Sequence, residues 1–207
     1  MAAYPSVVAA ASREREVLAA LWQAASADER ERVLDRASQA FSRILAERIL
    51  PAWNGTPWSF AGTAAGPGTR PVACGYFVAT ALEHAGLRVE RRRLAQQAAE
   101  HIVLSLVPAD RVARFRRAPL DHFLSTVVSG GDGVYVVGLD WHVGFLVVDR
   151  GDAFFHHASR QAGVVVREPA ILSRALATSS YRVVGKLSGR SLARSWLAAA
   201  AIPTHVD

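Results

Sequence analysis

Between Ser129 and Gly133 the hydrophobic pattern of the chain changes period, and that change limits the folds open to it. Upstream, Val33, Leu34, Ala37, Phe41, Ile44, Leu45 and Ile49 recur at helical spacing, with Arg30, Glu31, Arg32, Asp35, Arg36, Arg43 and Glu47 mostly on the other face. Downstream, short runs of β-branched and aromatic residues at 134–137, 142–148, 153–158, 164–167 and 181–187 are cut by Gly/Asp turns. One such turn, Asp149-Arg150-Gly151-Asp152, reads as a hairpin loop. Helices followed by an antiparallel meander give an α+β domain.

The helical half divides further. Residues 12–25 and 27–50 read as two helices, the second opened by the capping box Ser26-Ala27-Asp28-Glu29. Residues 51–71 gather glycine and proline into an ordered loop. A helix then starts at Cys74 and ends near Gly86, a C′ glycine. Another is expected over 94–106, and short ones over 110–117 and 120–128 on either side of Pro119. An Ala-rich helix with Trp196 closes the chain over 191–202. The expected division is a helical extension at 1–50, a domain at 51–187 and a helical tail at 188–207.

A chain of 207 residues, 51% hydrophobic and 20% charged, can bury a sizeable core and is not a disordered polymer. Its net charge of +6 favours acidic partners, among them nucleic acid and an anionic cell envelope. The cluster Arg88, Arg91, Arg92, Arg93, Arg111, Arg114, Arg116 and Arg117 lacks interleaved aromatics, so it reads as a solvated face and no nucleic acid is expected. No stretch is long and apolar enough for a spanning helix. Met1 to Ala11 is short and uncharged, a poor export signal, so the chain as written reads as cytoplasmic.

Cys74 is the one cysteine, which excludes an intramolecular disulfide, and no paired Cys/His spacing marks a zinc site. At a helix start its sulfur would lie near unpaired N–H groups and the positive end of the dipole, which favours a thiolate; an inert buried thiol is the alternative. A cysteine nucleophile needs a base, and the base an orienting partner. Of seven histidines, His84 and His101 fall in helical stretches, His122 near a helix start and His205 in the tail. His142 instead leads the apolar strand Val143-Gly144-Phe145-Leu146, where a polar residue is expensive to bury without a partner. In the next strand His156 and His157 are neighbours, so at most one of them shares His142's face. A Cys-His-His relay is open to this chain.

Five segments in order resemble the NlpC-type cysteine peptidases: residues 55–63; Cys74 with Phe77-Val78; Gly131-Asp132-Gly133-Val134-Tyr135-Val136; His142-Val143-Gly144-Phe145-Leu146; and His157-Ala158-Ser159. The resemblance covers about residues 53–187. It implies a papain-like α+β fold, no metal or cofactor, and cleavage of peptide or isopeptide bonds in peptidoglycan stem peptides through a thioester. It implies Cys74 as nucleophile, His142 as general base and His157, matched by His-Ala-Ser in preference to His156, as the third member. It would also place the protein in the cell envelope or outside the cell. Trp58 stands where the family favours a site-lining tyrosine, and Tyr76 is a candidate to supply that hydroxyl, so both enter as substrate-binding residues. Ala73 replaces the family's Asp before the cysteine, and Gly75-Tyr76 replaces Ser-Gly after it. Acyl transfer to an amine or hydroxyl, and a silent module that binds wall fragments, are the competing expectations.

Overall fold

The computed structural model describes residues 3–205. In chain order the elements are α1 (Tyr4–Ala24), α2 (Ala27–Arg43), π-helical turns over Ile44–Ile49, α3 (Leu50–Ala52), α4 (Cys74–His84), β1 (Arg88–Val89), α5 (Arg91–Ala95), α6 (Ala99–Leu106), β2 (Val112–Arg116) and α7 (Leu120–Ser129). There follow β3 (Gly133–Leu139), β4 (Val143–Asp149), β5 (Asp152–Ser159), β6 (Val164–Pro169), α8 (Arg174–Thr178), β7 (Tyr181–Lys186), α9 (Arg190–Leu197) and β8 (Ala201–Ile202). Six strands form one antiparallel sheet in the order β2-β7-β3-β4-β5-β6, and β1 pairs with β8 in a short parallel pair. The α+β class expected from the change of period is the class observed.

Alternation along the strands sorts the sheet's side chains onto two cores. Val134, Val136, Val143, Phe145, Ala158 and Val165 face the larger core, shared with α1, α2, α4 and α9. Tyr135, Val137, Leu139, Leu146, Val148 and Phe155 face the smaller one, under α7 and α8. In the larger core Phe77 of α4 meets Phe145 edge-on at 5.9 Å and Trp53 at 5.6 Å. Burying each such ring contributes about 1.5–3 kcal/mol, and the Phe77–Phe145 contact fixes α4 across β4. Both terminal helical segments share this core: Leu34, Phe41 and Trp196 are buried in it, with Phe41 and Trp196 in edge contact at 5.7 Å.

Most local signals hold, several boundaries shift, and two elements change type. Glu29 accepts from the N–H and hydroxyl of Ser26 at the start of α2, as the capping box requires. Gly86 has φ +97°, and Leu87 N–H reaches back to Leu82 C=O, closing α4 in the Schellman manner. Arg150 and Gly151, both at positive φ, make the two-residue turn between β4 and β5. The helix expected over 12–25 begins at Tyr4, with Pro5 in its first turn. The helix expected over 110–117 is instead strand β2, whose Phe115 faces the smaller core while Arg114 and Arg116 bind Glu100 and the Tyr181 ring. Pairing with β7, distant in sequence, selects the strand. The helix expected over 94–106 breaks into α5 and α6, because Gln96 and Gln97 end the first and Ala98 opens the second. The last helix stops at Leu197 and residues 201–202 become β8; α8 was not anticipated.

The Gly/Pro loop is ordered as expected. Gly55 and Thr56 exchange backbone hydrogen bonds with Val165, and Trp58 N–H donates to Gly163 C=O, so the loop covers the free edge of β6. The same loop leads into Cys74 through Ala73 N–H, which donates to Gly62 C=O at 2.9 Å. One residue on, α5 passes so close to α4 that a Cβ on Gly75 would overlap the Ala95 carbonyl. Gly75→Ala therefore forces backbone apart; it should cost about 1–3 kcal/mol, the range for overpacking, read as a lowered urea midpoint. An unchanged midpoint would show that the two helices have room to separate.

Candidate active site

A tight turn sets the first histidine. Leu139 N–H donates to His142 C=O at 2.8 Å, closing Leu139-Asp140-Trp141-His142 at the tip of the β3–β4 hairpin. Asp140 anchors the turn by accepting from Ser180 N–H at 2.6 Å and the Ser179 hydroxyl at 2.9 Å. His142 is thereby held at the head of β4, on the face of the smaller core, edge-on to Phe155.

Register brings its partners to the same face. His157 pairs with Val166 and Phe155 with Glu168 across β5 and β6, so His157 and Glu168 are diagonal neighbours. The result is a continuous chain: His142 Nε2 to His157 Nδ1 at 2.8 Å, and His157 Nε2 to Glu168 Oε1 at 3.1 Å. Phe155 stacks against the His157 ring, 4.4 Å between centroids, and holds its plane.

The chemistry of these atoms fixes the proton positions. A carboxylate only accepts, so His157 must donate from Nε2 and keep a lone pair on Nδ1. His142 must then donate from Nε2 into that lone pair, which leaves its own Nδ1 unprotonated. Glu168, through His157, thus holds His142 in the tautomer whose one free nitrogen is a base. Burial opposes charging the rings: it pushes His142 down to about 3, with help from neighbouring His157, and His157 down to about 4. At neutral pH the relay is an uncharged pair of imidazoles on a carboxylate.

Cys74 approaches from the other layer. It opens α4 on the side of the larger core, and the backbone N–H groups of Val143, Gly75 and Cys74 itself point at its sulfur. Val143 is the residue after His142, so the thiol meets the hairpin within one residue of the base. The expected cradle of N–H groups is present, but the expected bias toward thiolate is not: burial pushes the thiol up and outweighs those donors. No hydrogen bond joins the sulfur to either imidazole, and burial keeps both thiol and base neutral.

A cleft of about 900 Å³ opens on the relay side, lined by His142, His157 and Glu168 and rimmed by Trp141, Leu172 and Arg174. Cys74 is not part of its wall. Trp141 is 97% exposed on that rim. Trp58 and Tyr76 are not brought to the relay. Trp58 packs against the larger core beside β6, and Tyr76, two residues and so about 200° around the helix from Cys74, lies under the Arg91 guanidinium at 5.0 Å. His156 faces the opposite side of the sheet from His157. His84 bonds Tyr4, and His101 and His205 lie ring to ring at 5.1 Å. Glu168 was missed from sequence, because its place beside His157 depends on the β5–β6 register. Among the described residues no group of three His, Cys, Asp or Glu side chains is arranged to hold a metal ion, and no helix is long and apolar enough to cross a membrane.

No protein-family model matches the chain, and no curated protein matches it. Among solved structures, an N-acetylmuramoyl-L-alanine amidase from Bacteroides uniformis ATCC 8492 is similar over 73% of this chain and 99% of that one, at 10% identity and a TM-score of 0.37. A TM-score of that size is too low to carry a functional argument, so the reading rests on the site's own geometry.

Three histidines, two buried and one half-buried, give the fold a pH signature. His142 and His156 are pushed to about 3 and His157 to about 4, from 6.5 when exposed. Below pH 6.5 the unfolded chain binds protons that the folded one refuses, so stability falls as pH drops toward 4. The loss approaches on the order of 2 kcal/mol per ring by pH 5 as an upper bound, less for half-buried His142, where water screens the charge. The urea midpoint should fall from pH 7 to pH 5; a flat midpoint over that interval would contradict the buried neutral rings.

Proposed function

We propose that the protein is a thiol hydrolase of amide bonds, with Cys74 as nucleophile, His142 as general base, and His157 and Glu168 as the groups that orient it. The observation that carries this reading is the hydrogen-bonded chain from Glu168 through His157 to His142, the residue before Val143, whose backbone N–H favours the Cys74 thiolate. A chain of that kind spends buried polar groups on fixing one lone pair, which is what a general base requires.

In the proposed cycle Nδ1 of His142 takes the thiol proton as sulfur attacks the substrate carbonyl carbon. The positive charge that appears on His142 is stabilised through His157 by Glu168. Collapse of the tetrahedral intermediate breaks the C–N bond, and the imidazolium returns its proton to the departing amine. A thioester remains on Cys74. Water, deprotonated by the same nitrogen, then adds to it and releases the acid and the thiol. The N–H groups of Cys74, Gly75 and Val143 are the donors at hand for developing negative charge. Because thiol and imidazole rest neutral, proton transfer belongs to the attack itself, and closure over a substrate must bring sulfur and nitrogen together.

The substrate class follows from the resemblance to NlpC-type peptidases: a peptide or isopeptide bond in peptidoglycan stem peptides. One observation favours a second reading, the silent module that binds wall fragments. The thiol is raised by burial and has no hydrogen bond to the base.

Incubation with stem peptides and mass spectrometry of the products separates the two. Cleavage is expected, lost by at least about 1000-fold in Cys74→Ala and His142→Ala and by about 100-fold or more in His157→Ala. Glu168→Ala should fall between wild type and His157→Ala, and His156→Gln should stay within a few-fold of wild type. Binding without cleavage by the wild-type protein, or cleavage that survives Cys74→Ala, would overturn the hydrolase reading.

A further inference from the structure

The cleft beside the relay holds more than the proposed cycle uses. Besides His142, His157 and Glu168, it is lined by the tip of the β3–β4 hairpin, the β5–β6 turn and α8. Trp141 is 97% exposed on its rim, and Leu172 also lines it at 74%. Looseness does not account for an indole in water here. Its turn is closed by Leu139 N–H on His142 C=O, and Asp140 beside it is held by Ser179 and Ser180. A fixed turn that keeps a tryptophan in solvent, next to the candidate base, offers apolar surface to a ligand.

The charges around it are unevenly committed. Two carboxylates line the cleft, and both have partners. Glu168 accepts from His157 at 3.1 Å, and Asp140 accepts from Ser180 N–H and the Ser179 hydroxyl. Two guanidinium groups line it as well, Arg160 in the β5–β6 turn and Arg174 at the start of α8. Both residues are exposed, and neither guanidinium makes an ion pair, hydrogen bond or ring contact with any described residue. What the cleft leaves unused is therefore cationic, beside exposed apolar surface. That combination fits a ligand with a carboxylate and an apolar body, since arginine binds carboxylates through a matched pair of donors.

The place of the sulfur says which part of a substrate this is, a step that rests on the thiol-hydrolase reading. In that cycle the acyl group stays on Cys74, while the departing amine takes its proton from His142. The cleft meets the imidazole and not the thiol, so it lies on the leaving-group side of the scissile bond. We propose that it is the leaving-group subsite, selecting amines with a free carboxylate for Arg160 and Arg174 and an apolar body for Trp141 and Leu172. The simplest such amine is the C-terminal residue of a short stem peptide, released with its carboxylate unmodified.

Calorimetric titration of the full-length Cys74→Ala protein with L-alanyl-γ-D-glutamyl-L-leucine and with its C-terminal amide tests the subsite without turnover. Saturable one-to-one binding of the free acid is expected, with the amide about tenfold weaker or worse. Arg160→Gln and Arg174→Gln combined should erase that preference, so that acid and amide bind alike. Trp141→Ala should weaken both peptides several-fold, and Arg167→Gln on the opposite face should change neither. Absence of saturable binding, equal affinity for acid and amide, or a preference that survives the double arginine variant would overturn the subsite. Wild-type protein given the same two peptides separates this result from the reading beneath it. Cleavage of acid and amide at equal rates would overturn the subsite and leave the hydrolase standing. A preference for binding the acid without any cleavage would overturn the hydrolase reading, and the leaving-group role with it.

Discussion

Alternation along a single strand, β5, organises the polar chemistry of this molecule. His156 and His157 are adjacent, and a strand sends adjacent side chains to opposite faces. One ring joins His142 and Glu168 in a hydrogen-bonded chain; the other faces the opposite side of the sheet, its buried Nδ1 without a hydrogen bond. A slip of one residue in the β4–β5 register would exchange them and leave His142 facing no acceptor, and a slip in the β5–β6 register would take Glu168 from His157. The register is held by the two-residue turn at Arg150-Gly151 and by Phe155, which is buried in the smaller core and stacks on His157.

Burial sets how the relay works. A solvated Cys–His pair would trade its proton at rest, but here desolvation raises the thiol and depresses both imidazoles. The carboxylate is therefore two hydrogen bonds from the base, where it directs the tautomer and waits to stabilise a charge that appears only during reaction. The same desolvation makes the site costly in acid. Stability and activity at this site draw on one physical cause.

Much of this could be read from the residues. The hairpin at Arg150-Gly151, the cap at Ser26, the stop at Gly86 and the five strands β3 to β7 all rest on short-range signals, and they are where the sequence placed them. What escaped depends on distant partners. Strand β2 is a strand because β7 lies beside it, and its Arg-rich five residues resemble a helix face when read alone. Helices α5 and α6 part at Gln96 and Gln97, and the close approach of Gly75 to the Ala95 carbonyl just before that break is visible only in three dimensions. His142 announced itself as a polar residue heading an apolar strand, but alternation could say only that one of two histidines joined it. Glu168 sits before a proline at a strand end, and only the β5–β6 register reveals that it terminates the chain. Tyr76 seemed placed to supply a hydroxyl, but helix geometry turns it to Arg91.

The claim that Glu168 holds His142 as a base with a free Nδ1 can be read directly from the imidazole nitrogens. Long-range ¹⁵N–¹H spectra of the folded protein at pH 7, assigned with His142→Ala and His157→Ala, report which nitrogen of each ring carries the proton. The account predicts His142 and His157 both neutral and both protonated on Nε2, with His142 Nδ1 bare. A proton on His142 Nδ1, or a charged His142 ring at pH 7, would contradict it, because no lone pair would then be left to take the proton of Cys74.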